Sequence, residues 1–127
     1  MAWQPYVDSS LVGTGKIVAG AILGHDGSIW AASPSLTALS PAECSTLLAA
    51  FTDPSTIRSA GFKLAGTKYI TILSGDREIY GKAGAGGVCC VKTGRAVVVG
   101  VYDEKTVSGE AAKIVGALGD YLISVNY

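Results

Sequence analysis

The hydrophobic positions along the chain change from a helical spacing to a strand spacing and back to a helical one. Residues 2–12 are predicted to form a short helix, because one face of it would be apolar and aromatic. That face consists of Trp3, Tyr6, Val7 and Leu11. Strands are then expected over residues 16–23 and 28–33, on either side of the turn Gly24-His25-Asp26-Gly27. The N-terminal part therefore predicts a helix followed by a hairpin.

The run Ser40-Pro41-Ala42-Glu43 is typical of a helix start. It combines a serine that can cap the helix, a proline at the first helical position and a glutamate that can complete a capping box. This helix is predicted to end at about Phe51. A shorter helical turn is expected to begin at Asp53-Pro54 and to end at Gly61.

From residue 62 onwards the spacing is that of strands, and the turns between them are short. Five strands are predicted, over residues 62–64, 68–74, 77–82, 88–92 and 95–101. Short connections make neighbouring strands antiparallel. Four of the five residues Val97 to Val101 are valine, which indicates an inner strand covered on both faces. A final helix with an apolar stripe is expected over residues 108–124.

These elements predict an α+β fold with helices packed on a sheet, in one domain over residues 1–127. Hydrophobic residues make up 49% of the chain and charged residues 16%, which disfavours intrinsic disorder. No stretch of the sequence reaches the ~20 apolar residues of a membrane span, and no signal peptide is recognisable. The number of cysteines is odd, and the adjacent pair Cys89-Cys90 lacks the C-x-x-C spacing of redox or zinc sites, which suggests a protein of the reducing cytoplasm. Cys89 and Cys90 are expected on opposite faces of a strand.

Motifs for catalysis and for metal binding are missing from the sequence. With one histidine, His25, which is expected in a solvated turn, we predict neither a metal site nor a cofactor. Gly13-Thr14-Gly15-Lys16 lacks the Ser or Thr that a P-loop needs after its lysine. No residue has the setting of a nucleophile, so we expect a protein that is not an enzyme, with a small hydrolase as the disfavoured alternative.

Tryptophan and tyrosine account for eight of the ten aromatic residues, and these rings suit half-exposed positions because each carries a polar group. If both terminal helices pack on one face of the sheet, five rings could form one patch: Trp3, Tyr6, Trp30, Tyr121 and Tyr127. Such a patch suits a proline-rich ligand, whose extended helix loses little entropy on binding. Ordinary core and rim packing is the alternative explanation of the same five residues.

A net charge of zero hides an uneven distribution of charge. Residues 58–95 contain seven basic and two acidic residues, a net charge of +5, and the rest of the chain carries −5. This distribution predicts an acidic partner or an anionic surface on the strand-rich half. Solvated strand edges kept basic against aggregation are the alternative. A single-stranded nucleic-acid module is disfavoured, because the segments with the five aromatics are net acidic.

Several blocks of the sequence resemble the profilin family in their order and spacing over the whole length, most closely the shorter amoebal, fungal and plant type. The blocks are Met1 to Asp8, Leu11 to Gly15, Asp26 to Ala31, Ile79 to Lys82, Gly109 to Lys113 and Asp120 to Leu122. The resemblance implies a central antiparallel sheet with the N- and C-terminal helices on one face and short helices on the other. It also implies a cytoplasmic, cytoskeletal monomer that binds monomeric actin, proline-rich actin regulators and phosphoinositide headgroups, and so regulates actin polymerisation.

Carried over residue by residue, the resemblance assigns poly-proline binding to the five aromatics that spacing had already selected. It assigns actin binding to Lys68, Thr71, Arg77, Tyr80, Lys82, Gly109 and Lys113. One departure concerns Leu73, where related fungal and amoebal sequences often have arginine. Loss of that cation could weaken actin or lipid binding. A module that binds anionic lipid or proline-rich peptides with little or no actin binding therefore stays as the alternative function.

Overall fold

Seven antiparallel strands form the sheet of the computed structural model, which describes residues 2–127. Met1, part of the first block of the resemblance, lies outside the described residues. The strands are β1 Ala19–Gly24, β2 Ile29–Ala32, β3 Phe62–Leu64, β4 Thr67–Ser74, β5 Glu78–Ala83, β6 Gly86–Lys92 and β7 Ala96–Tyr102. Their spatial order is β2-β1-β7-β6-β5-β4-β3, so each strand of the predicted hairpin and meander pairs as expected.

Three α-helices lie outside the sheet: α1 Pro41–Ala50, α2 Ser55–Ala60 and α3 Ser108–Ser124. Their bounds agree closely with the predicted ones, and those of α3 are identical to them. Short 3-10 helices at Val12–Thr14 and Pro34–Leu36 complete the connections. Within residues 2–127, no helix is both long and apolar enough to cross a membrane.

The predicted N-terminal helix over residues 2–12 is confirmed in part: helical backbone begins at Gln4, but its winding is not that of a regular α-helix. The structure has a six-residue π-helix at Tyr6–Leu11, preceded by a turn in which the N–H groups of Tyr6 and Val7 approach the Trp3 carbonyl. The wider winding still buries Val7 and Leu11 completely, so the apolar face that predicted the helix is retained.

The sheet separates two hydrophobic cores. One core packs α1 and α2 against one face of the sheet, and the other packs the π-helix and α3 against the opposite face. Cys90 belongs to the first core and Cys89 to the second, which confirms that these neighbours point to opposite faces. Strand β7 lies between β1 and β6 and contributes to both cores, as its valine run predicted. The α+β fold and its two helix layers are therefore confirmed.

Helix α3 packs unusually closely on the sheet because glycines face it. A Cβ atom on Gly100 of β7 would overlap the side chain of Val115 in α3. On the helix itself, a Cβ on Gly119 would lie 2.9 Å from the Cγ1 of Val91. A glycine inside a helix costs roughly 1 kcal/mol relative to alanine. At Gly119 that cost accompanies a contact that no larger residue would allow without movement.

Glu43 joins α1 to the turn between β3 and β4. Its Oε1 accepts hydrogen bonds from the N–H groups of Ser40 at 2.9 Å and Ala65 at 3.1 Å, and its Oε2 accepts one from Gly66 at 3.0 Å. Ala65 and Gly66 have φ angles of +51° and +83°, so the carboxylate binds a turn of left-handed backbone. The capping box predicted at Ser40 and Glu43 is confirmed, and its glutamate also performs this second task.

Hydrogen bonding decides the protonation state of Glu43. Partial burial alone would raise the pKa of its carboxyl, but the N–H donors of Ser40, Gly66 and Ala65 outweigh it and hold the pKa below the usual value. A carboxyl whose pKa is lower in the folded state contributes stability above its unfolded pKa. That contribution is lost as the pH falls through the folded-state value.

We expect Glu43→Ala to lower the free energy of unfolding by about 2 kcal/mol at neutral pH, because three backbone N–H groups lose a charged acceptor. Urea unfolding measures this difference. Glu104→Ala is the matched control, an exposed acid outside this network whose loss should change stability by less than about 0.5 kcal/mol. The difference between wild type and Glu43→Ala should shrink below the ordinary glutamate pKa of about 4.3. A difference that stays constant down to about pH 2 would contradict this account.

Candidate functional site

Five aromatic rings lie together on the face of the sheet that carries α3, as their spacing suggested. We call this cluster the aromatic surface; it comprises Trp3, Tyr6, Trp30, Tyr121 and Tyr127. Trp3 lies at its centre, with ring centroids 4.7 Å from Trp30 and 4.8 Å from Tyr127. Tyr6 extends the cluster, at 5.9 Å from Trp3 and 5.8 Å from Tyr121. The structure thus brings all five predicted residues into one continuous surface.

Each ring of the aromatic surface packs against the protein on one side and is exposed to solvent on the other. Trp3, Tyr6, Trp30 and Tyr127 are half-buried, and they pack against the core beneath α3. Tyr121 is 46% exposed. Rings held on a packed core lose little side-chain freedom when a ligand binds, because their rotamers are already restricted. The surface is therefore preorganised.

Trp30 is positioned by the turn of the β1–β2 hairpin. The Asp26 carboxylate accepts hydrogen bonds from the hydroxyl of Ser28 at 2.6 Å and from its N–H at 3.0 Å, and these bonds lower the pKa of Asp26. Gly24 leaves room for the indole, since a Cβ there would lie 2.7 Å from the Trp30 Nε1. His25 is exposed in this turn as predicted, and its Nε2 lies 3.1 Å from the Ala96 carbonyl oxygen.

Tyr127 is held by the turn between β6 and β7. The buried Thr93 hydroxyl donates a 2.7 Å hydrogen bond to the Tyr127 main-chain oxygen and accepts one from the Ala96 N–H at 3.0 Å. The N–H of Arg95 donates to the same Tyr127 oxygen. The Arg95 guanidinium also lies over the Tyr127 ring, with its Cζ 5.8 Å from the centroid, within the range of a cation–π contact.

The aromatic surface combines apolar ring faces with hydrogen-bond donors. Two indole N–H groups and three phenol O–H groups belong to it. The Tyr121 side chain beside Tyr6 raises the pKa of the Tyr6 phenol. Ring faces that can contact prolines, beside donors that can reach exposed carbonyls, match the chemistry of an extended proline-rich segment.

The residues assigned to actin binding are dispersed over the sheet and α3. Lys82 lies opposite Ile70 in the β4–β5 pair, and Tyr80 lies opposite Leu73 and packs against the core beneath α3. Burial, together with a 3.1 Å hydrogen bond to Glu78, raises the pKa of Tyr80 to about 12. On α3, Gly109 and Lys113 are exposed. These positions lie on the α3 side of the sheet or in α3 itself.

Three of the assigned actin residues lie elsewhere. The Thr71 hydroxyl donates a 2.7 Å hydrogen bond to the Ile57 carbonyl, which directs it towards α2. Lys68 lies beside Gly61 and lines a groove that α1 and α2 border. Arg77 lies just before β5, in another groove that is lined by Lys92. The structure therefore does not bring the seven residues into one cluster.

An exposed apolar patch occupies β4. Ile70 is 70% exposed, Ile72 is 52% exposed and Leu73 is 44% exposed. The register of the β4–β5 pair shifts between Thr71 and Leu73, so a β-bulge at Ile72 interrupts the pairing with β5. Because of this bulge, Leu73 follows Ile72 on the side of the sheet that carries Tyr80.

Sequence reasoning missed the supports of the aromatic surface. Thr93 and Arg95 flank the glycine of a predicted turn, and nothing local indicates that they hold a residue more than thirty positions away. A threonine in a turn can bond nearby backbone groups, and Thr93 does so with Ala96. That local signal was available, whereas the bond to Tyr127 depends on tertiary structure.

Comparison with known proteins gives consistent matches over the whole chain. The family model described as Profilin matches residues 1–127. Profilin-2 of Acanthamoeba castellanii is 52% identical over 127 residues, which are 100% of both chains. The crystal structure of Acanthamoeba castellanii profilin II has a TM-score of 0.94 at 52% identity, covering 98% of this chain and 99% of that one. Mouse profilin IIa, solved with a double repeat from the FH1 domain of mDia1, is 21% identical over the full length of both chains; its TM-score of 0.85 shows the fold alone.

We expect Thr93→Val to loosen the attachment of Tyr127 in the aromatic surface, because it removes one of the hydrogen bonds to the Tyr127 main-chain oxygen. The substitution keeps the shape of the side chain and removes a buried hydroxyl, so it should cost about 1–2 kcal/mol of stability and change the near-ultraviolet circular dichroism of the clustered rings. Thr46→Val is the matched control, an exposed threonine of α1 with no role in the cluster. An unchanged aromatic spectrum in Thr93→Val would show that the hydroxyl does not position Tyr127.

Proposed function

The chain belongs to the profilin family, and from this premise we propose that it binds proline-rich segments on the aromatic surface and actin monomers on a separate surface, thereby regulating actin polymerisation. The observation that carries the proposal is the single cluster formed by the five rings. Trp3 contacts three of the other rings in this cluster. We take residues 1–127 as the unit that performs both tasks.

The aromatic surface suits a proline-rich ligand for energetic reasons. A polyproline II helix is already extended, so its ordering cost on binding is small, and it exposes its carbonyls. Trp and Tyr rings bury a large apolar area and can still donate hydrogen bonds. Ring centroids 4.7–6.4 Å apart place neighbouring rings in contact, so together they present a continuous aromatic surface on which pyrrolidine rings can pack.

The proposed actin surface centres on Tyr80, Lys82, Gly109 and Lys113. Lys82 and Lys113 supply exposed positive charge, and the apolar patch of Ile70, Ile72 and Leu73 borders Tyr80 and Lys82 across the β4–β5 pair. A combination of exposed apolar and basic side chains suits an acidic protein partner. We keep Lys68, Thr71 and Arg77 as candidates for the margin of this surface, since they lie away from its centre.

Separate surfaces allow both ligands to bind at once. A monomer held beside a proline-rich assembly factor would have a raised effective concentration there. Such a partnership would place the protein with the cytoskeleton in the cytoplasm. Phosphoinositide headgroups are a further proposed ligand, which the net charge of +5 over residues 58–95 supports. Attraction of that kind is screened by salt.

We expect Trp3→Ala to weaken binding of an oligoproline peptide at least about tenfold, because it removes the ring at the centre of the cluster. Isothermal titration calorimetry measures this without relying on the remaining tryptophan. Tyr80→Ala removes a half-buried aromatic from outside the aromatic surface and should leave oligoproline affinity unchanged. Equal affinities of wild type and Trp3→Ala, or no binding by wild type, would contradict the proposed site.

We expect Leu73→Arg to strengthen binding of monomeric actin several-fold at low salt, because it adds a cation beside the proposed actin surface. The gain should decrease as salt is added. Ser45→Arg is the matched control, because it adds the same charge at an exposed position of α1, away from the proposed actin surface. If wild type does not bind actin, the alternative function as a proline-rich-peptide or lipid module is favoured. Equal affinities would show that Leu73 has no effect.

A further inference from the structure

A groove of about 450 Å³ borders the aromatic surface near Tyr127. It lies between the residues that precede β5, the β6–β7 turn and the end of α3, and it is lined by Asp76, Arg77, Lys92, Thr93, Gly94 and Ile123. Two of these side chains are basic and one is acidic. Arg95, which follows Gly94 and contacts the Tyr127 ring, adds a third cation at the boundary.

The two cations of the groove are neighbours on adjacent strands. The Lys92 N–H donates a 2.8 Å hydrogen bond to the Arg77 carbonyl, which continues the β5–β6 pairing. Like charges in opposed positions destabilise a sheet. The salt bridge found within residues 2–127 joins Lys16 to Glu110 at 3.6 Å. In that part of the chain, the side chains of Arg77 and Lys92 therefore have no acidic partner within salt-bridge distance. Their placement therefore favours an anion from outside the chain.

The groove is continuous with the aromatic surface. Thr93 lines the groove and its hydroxyl holds Tyr127 at the same time. Gly94 also lines the groove, and a Cβ placed on it would lie 3.4 Å from the Tyr127 main-chain oxygen, so this part of the groove is next to Tyr127. A chain that leaves the rings at Tyr127 can thus pass over Gly94 and reach the two cations.

We propose that this groove binds acidic side chains that flank a proline-rich segment held on the aromatic surface. The proposal rests on the proposed function, because the aromatic surface supplies the anchor. A polyproline II helix advances about 3.1 Å per residue, so acidic residues that directly follow the bound prolines would lie beside the groove that Arg77 and Lys92 line. The groove would then select among proline-rich partners by the charge of their flanks.

The test compares six synthetic peptides that share one run of ten prolines and carry Glu-Glu, Gln-Gln or Lys-Lys at either the N-terminal or the C-terminal end. Calorimetry gives their dissociation constants. With wild type we expect the Glu-Glu peptide to bind about fivefold more tightly than the Gln-Gln peptide, in one of the two orientations, as two exposed ion pairs allow. This preference should disappear at about 1 M salt, where the Debye length is about 3 Å.

Variants show whether the groove is responsible. The exposed or half-buried positions of Arg77 and Lys92 make Arg77→Gln/Lys92→Gln compatible with folding, and it should lose the preference while keeping its affinity for the Gln-Gln peptide. Arg77→Glu/Lys92→Glu should prefer the Lys-Lys peptide. Lys63→Gln/Lys105→Gln, with the same change of net charge at exposed sites outside the groove, should keep the preference of wild type.

The outcomes separate this inference from the proposed function. Equal binding of the Glu-Glu and Gln-Gln peptides by wild type would overturn the groove and leave the oligoproline site intact. A preference that persists in Arg77→Gln/Lys92→Gln, or that is lost equally in the Lys63→Gln/Lys105→Gln control, would also overturn it. Failure of all six peptides to bind would overturn both proposals together.

Discussion

The close contact of α3 with β7 determines the geometry of the aromatic surface. Gly100 of β7 has no side chain where Val115 of α3 approaches, and Gly119 of α3 lies against Val91 of β6. The helix therefore packs close to the backbone of the sheet. This close packing brings Tyr121 near the end of α3, and Tyr127 just beyond it, into the same cluster of rings as Trp3. A larger residue at either glycine would push the helix away from the sheet and separate rings whose centroids are now 4.8 Å (Trp3 and Tyr127) and 5.8 Å (Tyr6 and Tyr121) apart. Core packing and ligand geometry thus depend on the same two positions.

Local signals predicted most of the fold because they are strong where the elements begin and end. The capping box at Ser40, the apolar stripe of α3 and the short turns between strands each specify structure from a few neighbouring residues. The N-terminal segment was the exception. Its spacing of apolar residues identified the buried face, but such spacing does not distinguish an α-helix from the wider π-helix that forms at Tyr6–Leu11.

The sequence predicted which residues form the candidate site, but it did not predict the contacts that hold those residues in place. Aromatic spacing, together with the family resemblance, selected the five rings that the structure brings together. The bond from Thr93 to Tyr127, the second role of Glu43 and the basic groove all join segments far apart in the chain. Bonds of this kind follow from the pairing of strands and the docking of helices. A periodicity read within one segment contains no information about them.

The contact between Trp3 and Tyr127 joins residues that are 124 positions apart in the chain. Contacts of such separation form only when the loop between them has closed, and here that loop contains the whole sheet. The binding surface is therefore a property of the complete fold and cannot exist on a partly folded chain. An incompletely folded molecule would not compete for proline-rich partners. Conversely, ligand bound to this surface would stabilise the entire molecule against unfolding and not just one segment of it.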